Sequence, residues 1–445
     1  ALRTRFAKLV LIMALACSCL GFSPTMAQIR LGGQIADPSS AVNIAVVDLA
    51  GDNLQAVQFG QMLADIVGDD LTGSGLFDVA ASATYPQTAV QISGRPDFNQ
   101  WATTRLDALV TGRVAYFEDH LEVEYRLFDL KQRKFLHGLR LRANRSSARS
   151  IAHKIADQVY EALTGAPGHF STQIVYIAET GTATNRMKRL AIMDQDGSNV
   201  RYLPSQSGIN LTPRFSPVNP EITYLSYEDG LPKVYLLDLR TYRKEVLGEF
   251  SGMTFSPRFA PDGNRVIFSL SSGDQADLWE MDLRTLRRTQ LTNTPAIEAS
   301  PSYSPDGQQI VFESDRSGDQ QLYIMNRNGT GATRISFGQG RYASPVWSPD
   351  GRSIAFTRMD GEEFTIGVMD PNGTTERTLS RGFSVEGPSW SPNGRMLTYF
   401  KTSRQNADGT GGSAQLYVVD IFSGQERLLP TPTGASDPAW SSTSL

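Results

Sequence analysis

Cysteine is nearly absent from this 445-residue chain, which contains only Cys17 and Cys19. Both lie within the first 27 residues, so the rest of the chain offers no thiol for a disulfide, a nucleophile or a thiolate metal site. Histidine is also scarce, and its four copies are spaced 16 or 17 positions apart: His120, His137, His153 and His169. Residues beyond 169 have neither residue type and thus few ways to hold a transition metal.

The chain also has no excess of basic over acidic residues. The chain has 42 Lys and Arg against 46 Asp and Glu, a formal net charge of −4. This balance makes nucleic acid a poor candidate partner, because nucleic-acid affinity depends on neutralising phosphates. Beyond residue 27, no segment approaches the 18 uninterrupted apolar residues of a membrane-spanning helix. We therefore expect a soluble protein.

The N-terminus resembles an export signal. Basic residues at positions 3, 5 and 8 precede an apolar run at 9–20, and Thr25-Met26-Ala27 supplies small residues for a signal peptidase. We predict a signal peptide at 1–27 and a mature chain with 39 basic and 46 acidic residues, a balance of −7, in an envelope compartment. Lipidation of Cys17 or Cys19 is the alternative, although no Leu stands three residues before either.

Internal repetition dominates the second part of the chain. One motif recurs in steps of 44, 44, 44, 43 and 50 residues: PRFSPVN (Pro213), PRFAPDG (Pro257), PSYSPDG (Pro301), PVWSPDG (Pro345), PSWSPNG (Pro388) and PAWSS (Pro438). An apolar-x-aromatic triplet such as Ile310-Val-Phe and a segment such as LYIMN, ending at Asn326, keep the same period. Each unit therefore predicts four short strands, which is one blade of a β-propeller.

The copies are offset in a way that predicts closure of the ring. The first unit, near residue 173, lacks its first strand, whereas an unmatched first strand ends the chain at 438–442. We predict that the C-terminal strand completes the N-terminal blade and removes the last open edge. The predicted fold is an α/β N-terminal domain at 42–168 followed by an all-β six-bladed propeller at 169–445, with a polar, mobile arm at 28–41.

The α/β assignment follows from periodicity. Residues 43–49 (NIAVVDL) predict a buried strand, and Phe59, Met62, Leu63, Ile66 and Val67 mark one face of a helix. Residues 121–129 and 134–142 alternate like the strands of a hairpin. A stripe from Ala148 to Leu163 predicts a second amphipathic helix.

Catalytic motifs are missing from the sequence. It has neither a G-x-S-x-G elbow nor an H-E-x-x-H helix. The SPDG core of the repeat suits a hairpin turn better than catalysis, because Asp306 and its equivalents become Val218 and Asn393 in sister copies. Acidic turns such as Asp194-Gln-Asp-Gly resemble the start of a Ca²⁺ loop but lack its closing Glu, which favours hairpin turns. We predict no catalytic and no metal-binding residue.

Blade topology indicates where function should lie. SPDG turns follow the first strand, while the irregular loops lie between blades or follow the second strand, at the opposite face. These loops cover 250–256, 296–300, 337–344, 383–387 and the insert at 401–414. Their mix of Met, Phe, Tyr, Arg and Glu suits a protein partner. The predicted contact residues are Met253, Thr254, Phe255, Ser256, Glu298, Ala299, Ser300, Arg341, Tyr342 and Glu386.

These motifs resemble the WD40-like repeat of the TolB family of the Tol-Pal system, and Leu109-Val-Thr-Gly-Arg-Val resembles the N-terminal domain of that family. The resemblance covers residues 28–445. It implies a monomeric, non-enzymatic adaptor in the Gram-negative periplasm, associated with the envelope through its partners. It also implies a role in outer-membrane constriction at cell division and in envelope integrity.

The resemblance further implies partners. A Pal-like peptidoglycan-associated lipoprotein would bind the propeller mouth, with Met253 to Ser256 and Ala299-Ser300 lining the site. A TolA-like inner-membrane protein would bind the arm through Gln28, Ile29, Arg30 and Leu31. No cofactor is required; Ca²⁺ in the propeller channel is raised by the resemblance alone. The alternative is a periplasmic propeller hydrolase or ligand-binding sensor related to peptidase propellers.

Overall fold

The structure, a computed structural model, describes residues 41–92, 94–181, 185–204, 208–228, 230–248, 257–404 and 412–442, and the backbone alone at 30–31, 34–35, 182 and 254–256. The predicted signal peptide at 1–27 lies outside the described residues. Two short strands precede the first domain and pair with each other in antiparallel fashion, β1 (Arg30–Leu31) and β2 (Gln34–Ile35).

The first domain is a mixed sheet with helices on both faces. Its strands are β3 (Val42–Val46), β4 (Ala50–Gly51), β5 (Phe77–Val79), β6 (Ala108–Tyr116), β7 (Leu121–Asp129) and β8 (Lys134–Ala143). The order is β5-β3-β6-β7-β8, with β4 also paired to β6; β5, β3 and β6 run parallel, and β6, β7 and β8 antiparallel. Helices α1 (Leu54–Gly73) and α4 (Ala148–Thr164) cover one face, and α2 (Ala89–Ile92) and α3 (Phe98–Trp101) lie at the other. The predicted α/β fold is confirmed.

Local chemistry sets the ends of the two long helices. Asn53 caps α1, since its side-chain oxygen accepts a hydrogen bond from the N–H of Ala56 at 2.9 Å. Gly165 ends α4 in the left-handed conformation at φ 76°, and its N–H donates to the carbonyl of Glu161. The apolar stripes predicted on both helices form one core with the sheet, which includes Leu63, Val67 and Ile155.

The second domain is a six-bladed propeller, as predicted. Each blade is a four-stranded antiparallel sheet. Blade 1 contains β9 (Gln173–Thr182), β10 (Asn185–Asp194), β11 (Arg201–Tyr202) and β32 (Gly434–Trp440); blade 2 contains β12 (Asn210–Phe215), β13 (Glu221–Ser226), β14 (Lys233–Asp238) and β15 (Lys244–Gly248); blade 3 contains β16 (Thr254–Phe259), β17 (Arg265–Ser272), β18 (Gln275–Asp282) and β19 (Arg288–Gln290). Blade 4 contains β20 (Glu298–Tyr303), β21 (Gln309–Ser314), β22 (Gln321–Asn326) and β23 (Thr333–Arg334); blade 5 contains β24 (Arg341–Trp347), β25 (Ile354–Asp360), β26 (Glu363–Met369) and β27 (Glu376–Gly382); blade 6 contains β28 (Ser384–Trp390), β29 (Met396–Thr402), β30 (Ala414–Asp420) and β31 (Glu426–Leu429).

The C-terminal strand closes the ring. Blade 1 has the order β11-β10-β9-β32, with Trp440 opposite Ile174 and Ala439 opposite Val175. The predicted closure is therefore confirmed. Trp440 is buried, and its indole N–H donates to the Thr172 hydroxyl at 2.7 Å.

Every innermost strand carries a bulge at its proline. In each blade the pairing of the first strand with the second shifts register there, for example between Ala299 and Ser302 in β20. The residue before the proline has a left-handed backbone in five blades: Thr212 (φ 46°), Ser300 (φ 50°), Ser344 (φ 50°), Gly387 (φ 67°) and Asp437 (φ 49°). This conformation is costly for the four residues that are not glycine, so the packed ring must impose it on them.

The SPDG motifs form hairpin turns, as predicted. Their glycines have positive φ angles of 68° at Gly263 and Gly307, 75° at Gly351 and 70° at Gly394. In blade 4 the Asp306 carboxylate accepts hydrogen bonds from the N–H of Gln308 at 3.0 Å and from the Ser304 hydroxyl at 2.5 Å. We call the face of the ring that holds these turns the SPDG face.

The α/β domain packs on this SPDG face. The side-chain amide of Asn393 in the blade 6 turn donates to the carbonyl of Pro167 and to Nδ1 of His169, both at 3.2 Å. Asp157 on α4 accepts from the N–H groups of Phe170 at 2.7 Å and Ser171 at 3.0 Å, which fixes the segment between the domains. In the part of the chain that is described, no helix has the length and apolar character needed to cross a membrane.

Candidate functional site

The predicted contact residues lie at the face opposite the SPDG turns. This face consists of the loops between blades and the turns after the second strand of each blade, and we call it the loop face. Thr254 to Ser256, Glu298 to Ser300, Arg341 to Tyr342 and Glu386 belong to the innermost strands β16, β20, β24 and β28 of four successive blades. The topology thus brings these positions together around one mouth of the channel. Met253 lies outside the described residues.

Two of the predicted contact side chains are buried. Glu298 has no exposed surface; the Arg316 guanidinium forms an ion pair with it, and the Thr294 hydroxyl donates to it at 2.9 Å. Tyr342 is also fully buried and donates its hydroxyl hydrogen to Glu376 at 2.8 Å. Neither side chain can touch a partner in this conformation, so both support the loops around them.

Other predicted positions keep exposed surface. Arg341 is exposed, and Ala299, Ser300 and Glu386 are partly exposed. The Glu386 carboxylate accepts a hydrogen bond from the Ser384 hydroxyl at 2.7 Å, which orients it on its strand. These four positions remain predicted contacts.

The loop face also has exposed apolar side chains, which the contact residues predicted from the sequence did not include. Five large apolar residues of this face have 45–71% of their surface exposed: Ile209, Leu231, Ile297, Phe337 and Phe383. Ile297, Phe337 and Phe383 fall within loops that the sequence had marked, but none of the three was selected as a contact. Their position in the sequence could have identified them, because large apolar residues in loops between blades are too far from the blade cores to be buried there.

Arginine side chains cover the two phenylalanines. The Arg404 guanidinium lies 4.7 Å from the centre of the Phe383 ring and forms an ion pair with Glu362 at 2.7 Å. Arg334 lies 5.5 Å from the centre of the Phe337 ring. The resulting surface combines aromatic rings with arginine side chains, a composition typical of protein interfaces.

A buried carboxylate braces the mouth between blades 4 and 5. Glu313 on β21 accepts a hydrogen bond from the N–H of Ser344 at 2.6 Å. That N–H is free to make this bond because the bulge in β24 removes Ser344 from the strand pairing. Burial raises the pKa of Glu313, and the hydrogen bond from Ser344 opposes that shift. This hydrogen bond therefore links blades 4 and 5 at the mouth of the channel.

Polar residues of both domains meet in a buried cluster on the SPDG face. Asp70 on α1 accepts hydrogen bonds from Gln195 at 2.8 Å and from Nδ1 of His153 at 2.6 Å. Nε2 of His153 lies 3.8 Å from Asp194 and 4.0 Å from Asp196. The turn that resembled a Ca²⁺ loop is therefore a domain contact, which no sequence signal indicated.

This cluster contains the set of side chains with metal-ligand chemistry that the described residues bring together: Asp70, His153 and Asp196. Protein cations already occupy it. The Arg149 guanidinium donates to Asp196 at 2.5 Å, and the surrounding carboxylates favour the charged imidazolium of His153. The geometry therefore fits an ion-pair network between domains.

The histidines have structural hydrogen-bond partners. His120 contacts Asp119, His137 contacts the Tyr125 hydroxyl, and His169 accepts from Asn393. These side chains orient the rings, and none of these partners is a hydroxyl nucleophile of the serine-hydrolase type.

The structure describes only part of the N-terminal arm. Gln28 and Ile29 are outside the described residues, and Arg30 and Leu31 form β1, where Arg30 pairs with Ile35 and Leu31 with Gln34. The proposed partner strand at 28–31 stays a prediction.

Comparison with known proteins gives consistent results over nearly the whole chain. The family profile of the TolB beta propeller domain matches residues 160–444, and that of the TolB amino-terminal domain matches residues 35–136. The chain is 59% identical over 422 residues to the Tol-Pal system protein TolB of Paramagnetospirillum magneticum, covering 94% of each sequence. It is 57% identical to the protein of the same name from Pelagibacter ubique, covering 90% of this chain and 92% of that protein. The crystal structure of TolB from Acinetobacter baumannii superposes with a TM-score of 0.79 at 30% identity, over 93% of this chain and 100% of that one.

Proposed function

This chain belongs to the TolB family, whose members are non-enzymatic components of the envelope-associated Tol-Pal system, and from this premise we propose that it is a periplasmic adaptor with two binding surfaces. A Pal-like peptidoglycan-associated lipoprotein binds the loop face of the propeller. A TolA-like inner-membrane protein binds the N-terminal arm at 28–41. The adaptor thereby supports outer-membrane constriction at cell division and the integrity of the envelope.

The arc of exposed apolar side chains carries the first part of this proposal. Ile297, Phe337 and Phe383 precede the innermost strands of blades 4, 5 and 6 and are 50%, 67% and 47% exposed. Because these blades are adjacent, the three side chains follow one another along the rim of the channel mouth. Exposed apolar surface grouped beside charged residues is typical of a site that a protein partner covers.

The proposed contacts divide into two groups by their burial. Arg341, Ala299, Ser300 and Glu386 have surface to offer a partner. Glu298 and Tyr342 hold the loops in place through Arg316 and Glu376. We expect substitution of the second group to act through loop conformation.

A matched pair of double variants tests the loop face. Phe337→Ser with Phe383→Ser changes the proposed contact surface, whereas Val218→Ser with Leu286→Ser changes two SPDG-face side chains that are 56% and 53% exposed. Binding of the Pal-like lipoprotein of the same organism is measured by calorimetry with folded mature chain. We expect roughly a tenfold or greater loss of affinity for the first variant, because aromatic anchors dominate interfaces, and unchanged affinity for the second. Equal binding by both variants, or no binding by the folded wild type, would overturn the proposal.

A deletion tests the arm separately. Removal of residues 28–41 from the mature chain should abolish binding of the TolA-like protein and leave binding of the Pal-like lipoprotein intact. Retained TolA-like binding by this deletion variant would place that partner elsewhere. In cells, the same deletion is expected to cause outer-membrane leakage and delayed constriction, scored by release of a periplasmic marker and by cell-chain length.

A further inference from the structure

A cavity of about 540 Å³ lies in the α/β domain, on the face of the sheet that α1 and α4 do not cover. Its walls are formed by β4 with Asp52 and by α2 with Gly94. A volume of this size is typical of sites for small organic ligands. Its floor consists of side chains that alternate along β6, β7 and β8: Arg113, Ala115, Glu122, Glu124, Arg126 and Arg140.

Three guanidinium groups surround one carboxylate on this floor. Nε of Arg113 donates to Glu124 at 3.2 Å, and Nη2 of Arg140 donates to the same oxygen at 2.9 Å. Nε of Arg126 donates to the other oxygen of Glu124 at 2.8 Å. Burial alone would raise the pKa of Glu124, but the hydrogen bonds and charges of the arginines lower it to about 2. One negative charge therefore faces three positive charges, which leaves the middle of the floor with an excess of positive charge.

Two of these cations are accessible and use few of their donors. The side chains of Arg113 and Arg140 are 65% and 62% exposed, and both line the cavity. Among the described residues, Arg113 donates only through Nε and Arg140 only through Nη2. Arg126 is less exposed, and its Nη1 also donates to the Gly94 carbonyl at 2.7 Å, which joins the floor to one wall. Arg113 and Arg140 can therefore bind a carboxylate through their other N–H groups.

The other end of the cavity is acidic. On the same face of β7, Glu122 is two positions from Glu124 and four from Arg126, which corresponds to about 7 and 13 Å along a strand. Asp52 follows β4, which pairs with β6 on the side away from β7. Neither acid has a Lys or Arg partner among the described residues, and Nε2 of His120 lies 3.7 Å from Glu122. The cavity therefore separates positive from negative charge along its length.

The wall between the two ends is apolar. Helix α2 contributes Ala89, Val90 and Ile92, and β4 contributes Ala50. Val90 is 73% exposed although its side chain is apolar. Beside a cavity, such a side chain offers contact area to an organic ligand.

We propose that this cavity binds a short peptide with free termini, about two or three residues long. The peptide carboxylate binds Arg113 and Arg140, because a guanidinium group matches the two oxygens of a carboxylate. Its ammonium group lies between Asp52 and Glu122, and its side chains contact the apolar wall. Two or three extended residues span about 7–11 Å, which agrees with the separation of the two ends. The acidic end disfavours a simple anion, since that ligand would meet two carboxylates. This binding would add to the adaptor function and does not depend on it.

Three forms of one tripeptide test the two ends separately. Ala-Val-Ala, its N-acetyl form and its C-terminal amide are titrated into the folded mature chain by calorimetry at pH 7 and constant ionic strength. We expect saturable binding of one free peptide per chain and roughly tenfold weaker binding of each blocked form, because each loses a charge-assisted contact. Absence of saturable binding by the free peptide, or equal binding by either blocked form, would overturn the proposal.

One substitution locates the carboxylate end. Arg113→Gln removes an exposed guanidinium group and leaves Arg126 and Arg140 on Glu124, so the thermal unfolding midpoint should match wild type. We expect roughly tenfold weaker binding of the free and N-acetyl peptides and unchanged binding of the amide. Arg105→Gln changes an exposed arginine of the same domain outside the cavity and is the matched control. It should bind all three forms as the wild type does.

A double substitution locates the ammonium end. Asp52→Asn with Glu122→Gln removes both acids, so the free and N-acetyl peptides should bind with equal affinity. Asp78→Asn with Glu118→Gln changes two exposed acids of the same domain outside the cavity and should keep the preference for the free peptide. Retention of that preference by the cavity variant, or of full affinity by Arg113→Gln, would place the binding elsewhere and overturn the proposal.

Discussion

Gln173 and Ser441 are 268 positions apart and exchange two hydrogen bonds. The N–H of Gln173 donates to the Ser441 hydroxyl at 2.9 Å, and the N–H of Ser441 donates to the Gln173 carbonyl at 2.8 Å. The first and last strands of the propeller are joined at this point, so closure of the ring depends on the C-terminal strand.

Truncation tests that dependence. Deletion of residues 438–445 removes Trp440 and the pairing of Ala439 with Val175, which exposes the edge of β9. We expect loss of cooperative thermal unfolding in the β-sheet circular dichroism signal, together with aggregation. Deletion of 443–445 alone is the control and should keep the wild-type transition. A cooperative wild-type transition after the longer deletion would contradict closure by this strand.

The His153 cluster predicts a pH dependence of stability. Burial by itself lowers the pKa of His153, but the nearby carboxylates of Asp194, Asp70 and Asp196 outweigh that effect and raise the pKa to about 10. The ring of an unfolded histidine has a pKa of about 6.5. The charged ring therefore contributes stability that is fully present below about pH 6.5 and is lost as the pH rises through about 10.

The corresponding variant is His153→Gln. We expect it to lower the free energy of unfolding by about 3 kcal/mol at pH 6, because it leaves buried carboxylates without their cation. The difference from wild type should shrink between pH 7 and pH 10, as measured by denaturant titration at each pH.

His169 provides the contrasting control for this experiment. Burial, with the charges of Arg427 and Arg395, lowers the pKa of His169 to about 3. Its neutral ring contributes stability that is present above about pH 6.5 and is lost as the pH falls towards 3. The difference between wild type and His169→Gln should therefore stay constant from pH 7 to pH 10. Parallel curves for both variants in that range would contradict a charged His153.

Gly112 of the LVTGRV segment lies where the neighbouring strand leaves no room for a side chain. A Cβ at this position would lie 2.1 Å from the carbonyl oxygen of Glu124 on the paired strand, which cannot move without breaking the sheet. We expect Gly112→Ala to destabilise the chain by about 3 kcal/mol. Gly73→Ala at the end of α1 is the control, because its Cβ would meet nothing within 4 Å, and it should change stability by less than about 1 kcal/mol. Denaturant unfolding measures both, and similar effects would show that the sheet adapts.

In the SPDG turn of blade 4, we predict that Ser304 contributes more to the free energy of unfolding than Asp306 does. Ser304 is buried and links both ends of the turn, since its hydroxyl donates to Asp306 and accepts from the N–H of Gln309 at 2.9 Å. We expect Ser304→Ala to cost about 1–2 kcal/mol. Asp306→Asn keeps the acceptor that Asn393 supplies in blade 6, so unfolding and Pal-like binding should both match wild type. Lost binding with an intact fold would give this carboxylate a functional role.

The repeats were predictable because the pattern that defines each blade lies within one short stretch of sequence. Alternating apolar residues, a turn and an aromatic recur with one period, so the strands, the blade number and the closing strand could all be derived from spacing. The two amphipathic helices and the β7–β8 hairpin were predictable for the same reason. The proposed contact face also followed from topology, since the proposal depends only on which turns lie at which end of the blades.

The burial of individual side chains in the loops was less predictable than the fold. Glu298 and Tyr342 lie in loop-like sequence, yet Arg316 and Glu376 hold them inside the fold. Their burial depends on residues 18 and 34 positions away in the chain, and no periodicity connects them.

The sequence alone determined that this chain is a closed ring of six repeated units beside an α/β domain, because strand periodicity and turn chemistry are local properties. Tertiary structure alone decided that the α/β domain packs on the SPDG face and that Asp70 meets His153. These contacts join residues 83 to 226 positions apart, and they arise from how the folded blades and helices pack against one another.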